Sequence, residues 1–286
     1  MRILSHRWFQ VFIGGIILLY IVERTLLATR DLAFVPSVIL LGAFLVPVAF
    51  VVYLDERMPQ WEVPLTPLAI CFLWGGVLGT SVAGTLEYDL LCSLGVLPLL
   101  GVGLIEEGAK LIVPLIFYFL GRYRSERAGV VLGVSAAMGF AALETMGYAF
   151  LAMLQTGGNL LVLDSVLIAR GLTAPAGHAA WTGLVCAVLW RERLKAGRLV
   201  LNGKVVGAFV TAVVLHTLWD TFNGLRGATF VGFASLELLS FLIAVVSLAL
   251  LISRVREASK EPPAKENDVD NTRPEQSATS GRKVRI

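Results

Sequence analysis

Apolar runs of about 20 residues, separated by short polar links, repeat almost from end to end of this 286-residue chain. A run of that length matches the thickness of a bilayer core when it is helical. In lipid every backbone polar group must be satisfied within the segment or by a closed barrel. These runs are too long for barrel strands, so the chain reads as an all-α, polytopic membrane helix bundle with about eight transmembrane helices. The spans fall near 8–23, 34–54, 65–83, 99–120, 128–153, 173–190, 205–223 and 230–252. The stretch 88–104 is either re-entrant or an outer extension of the fourth span, with Pro98 and several glycines loosening it. Only 16% of residues are charged, against about 25% in a soluble domain.

Basic residues set the orientation. Arg2 and Arg7, Arg57, the group Arg122/Arg124/Arg127, the group Arg191/Arg193/Lys195/Arg198, and Arg254/Arg256 all fall on one side of an eight-span count. The opposite links hold only Arg24, Arg30, Arg170 and Arg226. Lysine and arginine favour the cytoplasmic side, so both termini are expected there, N-in and C-in. The N-terminus starts like a signal peptide, but Glu23 and Arg24 stand where a small-residue cleavage site would come, which predicts an uncleaved first span. Residues 1–253 form the transmembrane domain on this reading. Residues 254–286 are polar and mixed in charge, and are expected to form a disordered cytoplasmic tail. The net charge of +3 shows no nucleic-acid-binding stretch. Cys71, Cys92 and Cys186 show neither a disulfide framework nor a metal-binding spacing, and read as small apolar residues.

Against this background, charges within the spans stand out. Glu106, Glu107 and Lys110 interrupt the fourth. A centrally placed charge costs about 2.5–3.5 kcal/mol on insertion scales, so intramembrane ionisable groups mark functional sites by default. The fifth span carries Glu144, the sixth His178 with Arg170 at its outer approach, and the seventh His216 and Asp220. At 1.5 Å per residue from the basic side, Glu106, Glu144, His178 and His216 sit at roughly 21, 24, 18 and 17 Å, a single depth in the outer half of the bilayer core. An isolated histidine or glutamate in a membrane helix is often a packing contact. Four spans with such groups at one depth are better explained by a site.

Helical spacing sharpens the picture. Glu106 and Lys110 share a face, as do His216 and Asp220, each pair four residues apart. Glu107 points about 100° away from Glu106, so one glutamate faces the reaction centre while the other holds it in place. Carboxylates held together in a low dielectric resist ionising together, and a group so tuned can take a proton from water and return it to a leaving amine. His178 and His216 can stabilise an oxyanion or bind a metal. With Glu144 they would form a His₂Glu zinc set with one open position, although no HExxH is present. Asp220 would orient the imidazole of His216. The same groups would also serve a proton- or cation-coupled transporter. The absence of a convincing internal repeat and the displacement from the midplane argue against that alternative.

In order and spacing, EEGAK (106–110), FAALE (140–144), RGLTAPAGH (170–178) and HTLWD (216–220) resemble the four motifs of the PrsW family, intramembrane proteases distantly related to the CAAX prenyl endopeptidases. The resemblance covers roughly 100–225, the expected core. It implies a membrane-embedded endopeptidase of glutamic or metallo type, acting near the extracytoplasmic face of a bacterial plasma membrane on a transmembrane substrate such as an anti-sigma factor. By position Glu106 and Glu107 match the family's glutamate pair, Glu144 the glutamate of its second motif, and His178 and His216 its histidines; Glu106, Glu107, His178 and His216 are expected to be catalytic, with Lys110, Glu144, Arg170 and Asp220 in support. Glu144, His178 and His216 are the metal ligands if a divalent ion such as zinc takes part. Asp220 departs from the asparagine more usual in the CAAX enzymes, which leaves its role open. Arg170 would anchor a substrate or a carboxylate.

Overall fold

The structure, a computed structural model, describes residues 2–58, 63–228 and 233–260. Its described residues hold helices and no strands. These are α1 (Arg7–Thr29), α2 (Val35–Arg57), α3 (Leu65–Leu94), α4 (Leu99–Lys110), α5 (Ile112–Leu120), α6 (Glu126–Gln155), α7 (Leu160–Thr173), α8 (Ala180–Ala196), α9 (Gly203–Ala228) and α10 (Phe233–Ala258). Seven helical segments are long and apolar enough to cross a membrane, with α7 and α8 counted as one, Leu160–Ala196. The broken unit α4–α5, which carries Glu106, Glu107 and Lys110, is not among the seven and adds an interrupted helical segment to the bundle. The expected polytopic helical bundle is therefore observed.

The break between α4 and α5 has a local cause. Pro114 lacks an N–H and its ring crowds the carbonyl four residues back, that of Lys110. The chain tightens there, and Leu111 donates to Gly108 at 3.2 Å in a short 3₁₀ step. A second irregularity joins α7 to α8. Residues Pro175–Ala179 form a π-turn in which the Ala179 N–H reaches back to Ala174 at 3.2 Å.

Three boundaries differ from expectation. The third helix runs to Leu94 rather than stopping near 83, and Gly95 ends it in the left-handed conformation at φ 67°. The stretch 88–104 is therefore not re-entrant: it completes α3, turns, and begins α4 after Pro98. The sixth unit begins at Leu160 rather than 173, with Asn159 Oδ1 accepting the Leu161 N–H at 3.0 Å as an N-cap. Asp164, Ser165 and Arg170 had obscured its apolar pattern. The last helix continues to Ala258, into the segment expected to be disordered, because Arg254 pairs with Glu257 at 2.7 Å and Arg127 donates to the Ala258 carbonyl at 2.6 Å. The rest of that expected tail, from residue 261, lies outside the described residues.

Helix α6 is the centre of the bundle, packed between α3 and α8 and buried along most of its length. Its small residues permit this. A Cβ on Gly129 would stand 2.6 Å from the Cys186 carbonyl, and one on Gly133 2.7 Å from the Cys186 side chain, so this GxxxG pair seats α8. Gly139 faces α3, where a Cβ would collide with the Phe72 carbonyl oxygen. Gly139→Ala is therefore expected to lose about 1–3 kcal/mol of stability through overpacking against rigid backbone. Gly147, on the same helix with open space around it, should tolerate alanine. Reversible unfolding of both variants in mixed detergent–lipid micelles checks the difference.

Candidate active site

The end of α4 supplies the charged centre. Lys110 is 0% exposed, and its ammonium donates to Glu106 Oε2 at 3.0 Å and to Glu107 Oε1 at 2.8 Å. The spacings of four and three residues place both carboxylates over one lysine. The ammonium also lies 4.4 Å from the ring centroid of Phe140 on α6, a cation–π contact. The buried charge is thus compensated from two sides.

The two glutamates have different surroundings. Glu107, 1% exposed, is saturated. Its Oε1 lies 2.9 Å from His216 Nδ1 as well as against Lys110, and its Oε2 accepts from Thr182 Oγ1 at 3.1 Å. Glu106 borders a cavity of about 820 Å³ that Glu107 does not reach. Glu107 therefore braces α4 against α8 and α9, while Glu106 presents its carboxylate to the cavity.

His216 lies between carboxylates on both edges of its ring. Its Nδ1 faces Glu107, and its Nε2 lies 3.3 Å from Asp220 Oδ2 and 3.6 Å from Glu106 Oε2. The ring stacks on Trp181 at 4.6 Å between centroids and 22° between planes. Trp181 Nε1–H in turn donates to Ser247 Oγ on α10 at 2.9 Å. Also lining the cavity, Glu144 on α6 pairs through Oε1 with Arg170 Nη2 at 2.8 Å, and its Oε2 lies 3.2 Å from His178 Nε2. Arg170 also donates to Thr145 at 3.3 Å and rests 4.0 Å above the Tyr148 ring.

All eight residues singled out in the sequence thus meet around one cavity or directly behind its wall. The geometry bears on two of the expected roles. The ligand atoms that converge are those of Glu106, Glu144 and His178, within 4.8 Å of one another. His216 is not among them, because both its nitrogens already face carboxylates. Arg170 takes the second of its two expected roles, anchoring a carboxylate, that of Glu144, and also donates to Thr145. Trp181, Thr182, Tyr148 and Ser247 were not anticipated. Thr182 and Trp181 sit one turn beyond His178 and were legible only as neighbours of a histidine, whereas Ser247, in a wholly apolar run, gave no signal.

The converging set suits a divalent cation chemically: two carboxylates and an imidazole, with Glu144 Oε2 buried beside His178 Nε2. The arrangement of Lys110 yields a stability prediction. Lys110→Met leaves two buried carboxylates facing each other and should lose about 3–5 kcal/mol, with part of the loss recovered in Lys110→Met/Glu107→Gln. Unfolding midpoints of the single and double variants check this.

Among models of protein families, that described as PrsW family intramembrane metalloprotease matches residues 63–251. No curated protein and no solved structure matches the chain. The match is wider than the core expected from the four motifs, since it takes in α3 and most of α10. It spans well over half of the sequence and includes every residue of the cavity site described above, and on that ground the chain belongs to the PrsW family of intramembrane proteases.

Proposed function

We propose that this chain hydrolyses a peptide bond of a membrane-protein substrate in the cavity bordered by Glu106, Glu144 and His178. The observation that carries the reading is the convergence of these three groups on one wall of an 820 Å³ cavity, with Glu106 braced from behind by fully buried Lys110. The cavity is lined by residues near the ends of α3, α6 and α9 and the starts of α4 and α10, the end of the bundle away from the basic links. With those links in the cytoplasm, both termini are cytoplasmic and the cut falls near the extracytoplasmic face. The family resemblance points to a single-span anti-sigma factor in a bacterial plasma membrane as the substrate class.

Glu106 takes a proton from water as the oxygen attacks the scissile carbonyl, then returns it to the departing amine. Lys110 fixes the orientation of this carboxylate and offsets its charge. His178, aligned by Glu144, donates to the developing oxyanion. His216, held by Glu107, Asp220 and Trp181, keeps the far side of Glu106 in register. A divalent cation such as zinc, when held by Glu106, Glu144 and His178, would supply Lewis-acid polarisation of the carbonyl and a more acidic water.

The test is cleavage of single-span substrates by the purified protein in liposomes. Glu106→Gln and His178→Ala are each expected to lower the rate about 10²–10⁴-fold. Equal cleavage by parent and variants would overturn the reading, and pH-dependent ion flux without proteolysis would favour the transporter. Chelation followed by zinc restoration separates the two chemical types: loss and recovery of cleavage indicates a metallo-enzyme, and indifference a glutamic one.

A further inference from the structure

Besides Glu106, Glu144, Asp220 and Glu237, the cavity wall carries a carboxylate for which the proposed hydrolysis has no use, Glu87 on α3. Its placement follows from helix packing. Ala83 clusters with Ala109 and Phe140, and the backbone near Gly79 also approaches Ala109 and Phe140. Since α3 and α4 run antiparallel, one turn beyond Ala83, about 6 Å, brings Glu87 level with Glu106. The two carboxylates thus lie at the same depth of one cavity, on adjacent helices.

The surroundings of Glu87 differ from those of its neighbours. Glu106, Glu144 and Asp220 each lie against a cation or a histidine. Glu87 has neither a hydrogen-bond nor an ion-pair partner among the described residues, and its Oε1 is buried. It is also outside the converging group Glu106, Glu144 and His178. A carboxylate left without a counter-charge at membrane depth is costly, and such groups are retained where a ligand completes them. A second unfilled group points the same way. Ser240 on α10 is 2% exposed, lines the same cavity, and has a hydroxyl with no partner.

We propose that Glu87 is a specificity-determining residue that receives a basic side chain, lysine or arginine, of the substrate segment bound next to the scissile bond. The cavity supplies the complementary field: Arg170 is its lining cation and is already paired with Glu144. Ser240 offers a further acceptor on another wall for the hydrogens of an ammonium or guanidinium group. The proposal rests on the hydrolytic reading of this cavity and adds to it the class of side chain that the substrate must present.

The experiment measures binding, with cleavage of the same peptides followed alongside. Full-length protein in nanodiscs is titrated with single-span peptides that carry one lysine at successive positions along the outer juxtamembrane segment, each beside its norleucine counterpart. Wild type is expected to bind the best lysine peptide about tenfold or more tightly than its counterpart. Glu87→Gln should make the two affinities nearly equal without weakening the norleucine peptide. Glu87→Lys should shift the preference to glutamate at that position, which keeps the test decisive if the glutamine variant folds poorly. A lysine preference that survives Glu87→Gln, or no preference in wild type at any position, overturns the proposal. Protein that shows the preference but cuts no peptide refutes the hydrolysis alone. Protein that cuts lysine and norleucine peptides alike, and binds them alike, refutes the role of Glu87 alone.

Discussion

The burial of Lys110 between Glu106 and Glu107 is the constraint around which the rest is arranged. An ammonium withdrawn from water loses its hydration, and partners must replace it on every side. Here α4 provides two carboxylates and α6 the face of Phe140. The carboxylates need partners in turn. Glu107 finds Thr182 on α8 and His216 on α9. One buried cation therefore fixes the relative positions of four helices. None of these contacts is exceptional alone; their joint geometry leaves Glu106 as the member turned toward the cavity.

Such a polar knot survives in a bundle only if the surrounding helices pack without voids. The small residues of α6 meet that need. Gly139 lets α3 approach until backbone meets backbone, and Gly129 and Gly133 do the same for α8. Close approach narrows the space in which Glu144, Phe140 and Lys110 meet. The packing stripe and the site are thus consequences of one another: glycines set the helix separation, and the separation sets the distances over which the charged groups act.

Much of this was legible in the sequence, because charge inside an apolar run is conspicuous. Glu106, Glu107, Lys110, Glu144, His178, His216 and Asp220 announce themselves by cost alone, and the four-residue spacings correctly paired Glu106 with Lys110 and His216 with Asp220. Spacing along one helix says nothing about what a neighbouring helix presents. The geometry brings Glu106 rather than His216 together with Glu144 and His178, because both ring nitrogens of His216 face carboxylates, one of them Glu107, three spans upstream. Trp181, Thr182 and Ser247 are ordinary membrane residues until they are seen against charged partners. Glu87 was hidden for a different reason: the apolar run of α3 fades near 83, whereas its helix continues to Leu94. Hydropathy marks where a helix can lie in lipid, and it does not mark where hydrogen bonding ends.

The two backbone irregularities follow the same logic. Departures from regular helix at membrane depth are tolerated where they are buried in protein or border a water-filled space. The break at Leu111 immediately follows Lys110, and the π-turn at Pro175–Ala179 contains His178. The π-turn also has a geometric effect. Arg170 and His178 both contact Glu144, yet eight residues of regular helix would place them about 80° apart around the axis. Adding one residue to the intervening turn removes a step of about 100° and brings the two side chains to within about 20° of one face. Without that insertion, either the guanidinium or the imidazole would be turned away from Glu144, and the wall of the cavity would lose the residue that completes the converging trio.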